Sequence, residues 1–187
     1  MAPATIPWTG DDEADRLLAA DANALLIGFV LDQQVPVQKA FSGPRVLQER
    51  LGHLDPARIA EMDPEAFVAV CCERPAIHRF PAAMAGRVQE LCRVLARDYD
   101  GDGARVWLDA ADGADLYARI GSLPGFGEMK IGSLAMLLRR SYGVELDGLD
   151  ELLPTHPVLG AVGSAEELAA YQAQKRAMKA ATRAARA

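Results

Sequence analysis

The stretch Leu123-Pro124-Gly125-Phe126-Gly127 is where residue types and spacing point most directly to chemistry. Its two glycines permit positive φ and leave no Cβ between the backbone and a ligand. Beyond it, Glu128 to Tyr142 carries Ile131, Leu134, Ala135 and Leu138 at helical spacing. A helix beginning there aims unpaired N–H groups and the positive end of its dipole back at the turn. Successive amides in that position hold a phosphate oxygen, and the hairpin carbonyls of Leu123 and Gly125 suit a structural K+ or Na+. Leu123 and Phe126 are expected to anchor the turn between its two helices. Phosphate contacts fix position and carry no base information, so any reaction needs other residues.

Few other groups qualify. His78 and Arg79, in a loop between Pro75 and Pro81, can reach phosphate or the opposite strand of a duplex; a structural imidazole is the alternative for His78. Cys71, Cys72 and Cys92 include an adjacent pair and no C-x-x-C spacing, which argues against a metal site or disulfide framework and excludes a four-cysteine iron-sulfur cluster. No other cofactor is expected. Asp100-Gly101-Asp102-Gly103 reads as a turn, because an EF-hand loop begun at Asp98 would place Ala104 and Val106 where oxygen ligands belong and Asp109 where a Glu is required. From Leu168 onward the chain holds Lys175, Arg176, Lys179, Arg183 and Arg186 and no acid. That run either meets phosphates or is a solvated helix face.

The elements that must position these groups are helical. The chain has 187 residues, half of them hydrophobic and only 6% aromatic, rich in Ala and Leu, with strand signals nearly absent. One aliphatic core is expected, of an all-α class. Asp21 caps an apolar helix over Ala24 to Leu31 that ends at Asp32-Gln33-Gln34. Pro36 opens a second helix, which Gly43-Pro44 bends or interrupts. Asp55-Pro56 and Asp63-Pro64 each start a short helix. Ala82 to about Tyr99 forms another, with Met84, Val88, Leu91, Cys92 and Leu95 on one face. Asp112 to Asp115 starts the helix before the hairpin, Gly143 ends the one after it, and Val144 to His156 is a loop with a helical turn. Ala165 to about Arg186 is a final basic helix. Residues 1–163 thus form the main helical unit, with the hairpin motif over about 113–142, and 164–187 the basic C-terminal helix. No apolar run reaches the roughly 20 residues that span a bilayer, and Met1 to Gly10 lack the pattern of a secretion signal. A cytoplasmic, monomeric protein without membrane contact is expected. The net charge of −6 argues against indiscriminate polyanion binding.

Three segments in order resemble the helix-hairpin-helix (HhH-GPD) superfamily of DNA glycosylases. Val30-Leu31-Asp32-Gln33-Gln34-Val35-Pro36 is similar to its I-L-S-Q-Q-V-S element, Phe80 to Gly101 to its middle helix, and Leu123 to Lys130 to its L-P-G-x-G hairpin. The resemblance spans about residues 20 to 150. It is strongest to a bacterial branch that shares the Pro75-Ala76-Ile77-His78-Arg79-Phe80 stretch and the basic tail.

That resemblance implies two helical subdomains with a central cleft, double-stranded DNA containing a damaged base as partner, and base excision repair as function. The damaged nucleotide would be flipped from the duplex, and a carboxylate would stabilise the oxocarbenium-like state or activate water while the N-glycosidic bond breaks. The family's lyase-active members carry an imine-forming Lys where this chain has Met129, which implies a monofunctional enzyme; Lys130 is one residue on, about 100° around the helix, and is expected among the DNA contacts with Leu123, Gly125, Phe126 and Gly127. Asp147, 18 positions beyond Met129, stands at the family's spacing for the carboxylate, with Glu145 and Asp150 as neighbouring alternatives. Gln33 and Gln34 match residues that contact the opened duplex. Alkylated bases are the expected substrate class. A non-catalytic lesion- or structure-binding protein, and a helical protein-interaction domain without DNA, are the competing readings.

Overall fold

The computed structural model describes residues 2–184, and among these the secondary structure is helical throughout, with no strand. Eleven α-helices occur in the described residues: α1 Asp12–Ala20, α2 Ala22–Leu31, α3 Val37–Leu51, α4 Pro56–Glu61, α5 Pro64–Cys72, α6 Pro81–Asp98, α7 Arg105–Leu108, α8 Gly113–Ser122, α9 Glu128–Leu137, α10 Leu149–Leu152 and α11 Ala165–Ala184. A π-helical turn, Leu138–Tyr142, extends α9, and a 3₁₀ turn covers Leu159–Ala161.

Local chemistry explains most helix starts. The Asp21 carboxylate accepts from the amides of Asn23 and Ala24, Asp55 from those of Ala57 and Arg58, Asp63 from that of Ala66, and Asp112 from that of Asp115. Pro56, Pro64 and Pro81 occupy first helical positions, where a missing N–H costs nothing. Four features depart from the sequence expectations. Helix α3 runs unbroken through Gly43 and Pro44, both buried against the body. Helix α1, capped by Asp11, forms where the sequence reads as an acidic run, and α7 follows the 100–103 turn at once. The helix expected to reach Tyr142 changes to π geometry at Leu138 before Gly143 closes it in the left-handed region (φ +67°). Arg186, expected in the last helix, lies outside the described residues.

Helix α2 is the hub. Eight of its ten residues, Ala24 to Leu31, are buried, as its all-round apolar sequence requires. It packs against α1, α3 and α6. A chain of aromatic rings crosses the core: Trp8 on Phe41 (centroids 4.8 Å apart), Phe41 on Phe29 (5.2 Å), and Phe29 on Phe126 of the hairpin (5.8 Å). The Trp8 indole N–H also donates to the Val162 carbonyl at 3.1 Å. Buried apolar residues from Ile6 to Tyr171 form one continuous cluster. No helix among the described residues is long and apolar enough to cross a membrane.

Candidate nucleic-acid interface

The hairpin joins α8 and α9. Leu123 is extended, the Phe126 amide donates to the Leu123 carbonyl at 3.2 Å, and Gly125 adopts φ +84°, a conformation that L side chains rarely take. Leu123 and Phe126 are buried (2% and 7% exposed), so the turn is pinned from beneath while Gly125 and Gly127 face solvent. Gly127 caps α9, its carbonyl accepting from the amides of Lys130 and Ile131 at 2.9 and 3.0 Å. The amides of Gly127, Glu128 and Met129 have no partner among the described residues, and they present three donors at the positive end of a ten-residue helix. The exposed Glu128 carboxylate in the same turn stabilises the helix and opposes an incoming anion. Of the two carbonyls considered for a monovalent cation, that of Leu123 closes the turn, and that of Gly125 accepts no bond among the described residues.

Gln33 lies directly beside this turn, its Nε2 4.0 Å from where a Gly125 Cβ would stand. That amide donates to the Val30 carbonyl (3.2 Å), and its Oε1 accepts from Arg87 of α6. Gln34 is exposed and holds φ +57°, unusual for a residue with a side chain. His78 is buried at 2% exposure. Its Nδ1 accepts from the Phe80 amide (2.9 Å) and its Nε2 pairs with the Gln33 carbonyl (2.9 Å), which defines a neutral imidazole protonated on Nε2. Burial holds its pKa below the usual histidine value. His78 is thus a strut under the Gln33 loop. Arg79 is exposed and lies over the Phe80 ring, 5.2 Å from its centroid.

Lys130 turns inward. Its Nζ donates to the Phe29 carbonyl at 2.5 Å, at the end of α2, and burial lowers its pKa to about 8 while the Asp32 carboxylate works in the opposite sense. A narrow cleft opens beside it, lined among others by Asp32, Met129, Ser133, Tyr171 and Lys175. The cleft continues on one side into an apolar groove of about 220 Å³ bordered by Met129, His156, Tyr171 and Met178. On the other side it meets Val35, Pro36, Lys175 and Arg176. Helix α11 is therefore a wall of the space next to the hairpin.

The candidate carboxylates past the hairpin lie elsewhere. Asp147 is exposed, and its carbonyl accepts from the amide of Gly113, the first residue of α8, at 2.9 Å. The hairpin sits at the other end of that ten-residue helix, about 15 Å away by helical rise. Glu145 and Asp150 both pair with Arg139 in the π turn, at 3.6 and 2.7 Å, and the guanidinium bonds hold the Asp150 carboxyl below its usual pKa. The structure thus gathers Leu123, Gly125, Phe126, Gly127, Lys130 and Gln33 into one place, with Gln34 and His78 adjoining, and leaves all three carboxylates at the opposite end of the α8–α9 pair. Sequence reasoning missed Asp32, Arg87 and Tyr171, and named Lys175 only within the basic tail. Asp32 had a signal, since it stands directly before Gln33-Gln34; the others join the site only through tertiary packing.

No protein-family model matches this chain, and neither a curated protein nor a solved structure matches it. Among the described residues no group of three or more His, Cys, Asp or Glu side chains is arranged to hold a metal ion.

Proposed function

We propose that this chain is a helix-hairpin-helix DNA-binding protein of the glycosylase type, which grips the backbone of a duplex at the Gly125–Met129 turn and handles a damaged base beside it. The observation that carries this reading is the trio of unpartnered amides at the start of α9, set on a turn that Leu123 and Phe126 hold rigid. Arg87 and Gln33 flank the turn with one cation and one amide, chemistry suited to phosphate and base edges. A two-subdomain arrangement belongs to this proposal; its cleft would be the space between α9, the Asp32–Pro36 loop and α11.

Base excision requires a carboxylate near the flipped nucleotide. Asp32 is the carboxylate that lines the cleft, and it favours hydrolysis of the N-glycosidic bond at this place. The distance of Asp147 from the hairpin favours the second reading, a non-catalytic binder of lesions or distorted duplex. One assay separates them: duplexes carrying alkylated, deaminated or oxidised bases are incubated with the protein and scored for binding and for abasic sites. Excision that disappears in Asp32→Asn and survives in Asp147→Asn establishes the enzyme reading with Asp32. Loss in Asp147→Asn alone returns the role to Asp147. Binding without any excision establishes the non-catalytic reading, and no binding at all overturns the proposal.

A further inference from the structure

Ion pairs take up several arginines of the body, whereas Arg16, Arg58, Arg74, Arg79, Arg87 and Arg140 stand singly outside them; the cations of α11 differ in following one another along a single helix. Arg45 pairs with Asp11, Glu13 and Glu49, Arg93 with Glu90, Arg97 with Asp98, Arg105 with Asp100 and Asp109, Arg119 with Asp115, and Arg139 with Glu145 and Asp150. Lys175 and Arg176 pair with no carboxylate among the described residues; Lys175 instead lies over the Tyr171 ring, 5.2 Å from its centroid. The acids of α11 are confined to its first turn, Glu166 and Glu167. Four positions before Lys175 stands Tyr171, four before Lys179 stands Lys175, and four before Arg183 stands Lys179. No cation in this row has a carboxylate at the helical spacing that would neutralise it.

The helix is attached to the body by its beginning. Leu168 and Tyr171 are buried, and Gln172 exchanges amide hydrogen bonds with Gln38 of α3 (2.8 and 3.4 Å). From Ala173 on, every described side chain is exposed. The row starts at Lys175, which lines the same cleft as Met129 in the first turn of α9. In helical register, positions 175, 179 and 183 follow one face over about 12 Å, some three base pairs of duplex rise.

We infer that this face of α11 is a second DNA-backbone contact, continuous with the hairpin, so that the chain holds phosphates at two places along the duplex. The inference rests on the DNA-binding reading of the hairpin. Charge complementarity selects a polyanion, the cleft shared with the first turn of α9 joins the face to the hairpin, and the spacing along a straight helix suits a stiff duplex.

The test measures duplex affinity of the full chain by fluorescence anisotropy from 50 to 200 mM salt. The variants are the triple Lys175→Gln/Lys179→Gln/Arg183→Gln, a charge-keeping triple Lys175→Arg/Lys179→Arg/Arg183→Lys, and Gly127→Pro at the hairpin. Three lost phosphate contacts lower the slope of log affinity against log salt by about 2.7, so affinity falls about 40-fold less across that range than in the parent. The charge-keeping triple retains the parental slope, and circular dichroism at 222 nm verifies that each variant is helical. A parental slope in the glutamine triple, with DNA still bound, overturns this inference and leaves the hairpin reading standing. Absence of binding by the parent overturns both. A triple that keeps its DNA slope but no longer binds anionic phosphatidylserine vesicles assigns the face to a membrane surface and overturns the inference as well.

Discussion

Lys130 and His78 are two bases buried under the same loop, and burial holds both pKa values down. Their stability effects therefore share a sign and differ in window. For Lys130 the unfolded chain binds a proton up to its ordinary value of 10.5, while the folded chain releases it from about 8. Between those values the unfolded state holds more protons, so stability rises with pH and is lost again as pH falls through 8. Urea midpoints from pH 7.5 to 10.5 should show the parent gaining about 1–2 kcal/mol over Lys130→Met, discounted for partial solvent access. An identical pH profile for the two proteins refutes the burial of the amine. His78 contributes stability above its unfolded value of 6.5 and loses it as pH falls below that, because the protonated ring has no acceptor for an Nδ1–H. His78→Gln should flatten the acid limb of the stability curve, read by thermal melts between pH 5 and 7.5, while lowering stability at pH 7.5 through the lost strut.

At the scale of elements, the hairpin and the Asp-capped helices were legible because their causes lie within a few residues. The Asp-Pro starts of α4 and α5, the Asp112 cap and the glycine turn each satisfy their own amides or fix their own φ. Helix α1 was hidden because its first turn, with Asp12, Glu13 and Asp15, reads as a charge run, although that run complements the helix dipole. Counting from Met129 leads away from the hairpin, because α9 and its π-helical extension run about 20 Å from it before Gly143 closes them. The chain beyond then meets the start of α8, where the Gly113 amide donates to the Asp147 carbonyl. Two glycines show how tightly these elements are set. A Cβ on Gly160 would stand 1.7 Å from the Ser133 carbonyl oxygen of α9, whose hydroxyl already accepts from the Gly160 amide at 2.8 Å. Gly160→Ala must push the 3₁₀ turn off α9 and should cost about 3 kcal/mol or more in urea unfolding. Gly127, with φ −96° and open space where its Cβ would go, tolerates alanine in the fold. Gly127→Ala should lose no more than about 1 kcal/mol of stability yet weaken duplex binding several-fold, since the added methyl stands where a phosphate must approach the amides. Unchanged affinity in a stable Gly127→Ala places the ligand elsewhere.

The whole molecule poses the question of whether its helices unfold as one body. The resemblance implies two subdomains, whereas the buried residues form a single cluster that reaches from Ile6 to Tyr171. The aromatic chain from Trp8 to Phe126 ties the N-terminal segment to the hairpin, and the Trp8–Val162 hydrogen bond ties it to the segment before α11. Trp107 packs separately, edge-on to Tyr142, whose hydroxyl donates to the carbonyls of Leu18 and Ala19 at the end of α1. These links join the N-terminal segment and α1–α3 to the hairpin and to the segments on either side of α8 and α9. Two single-tryptophan proteins, Trp8→Phe and Trp107→Phe, report on the two regions independently by fluorescence. Each should unfold in urea in one transition, coincident with its own helical signal at 222 nm, as a cooperative single body does. Separate midpoints within either protein would mean that the cleft beside the hairpin divides two units able to move against each other. One shared midpoint means that the helices on either side of the cleft unfold together, as the continuous core requires.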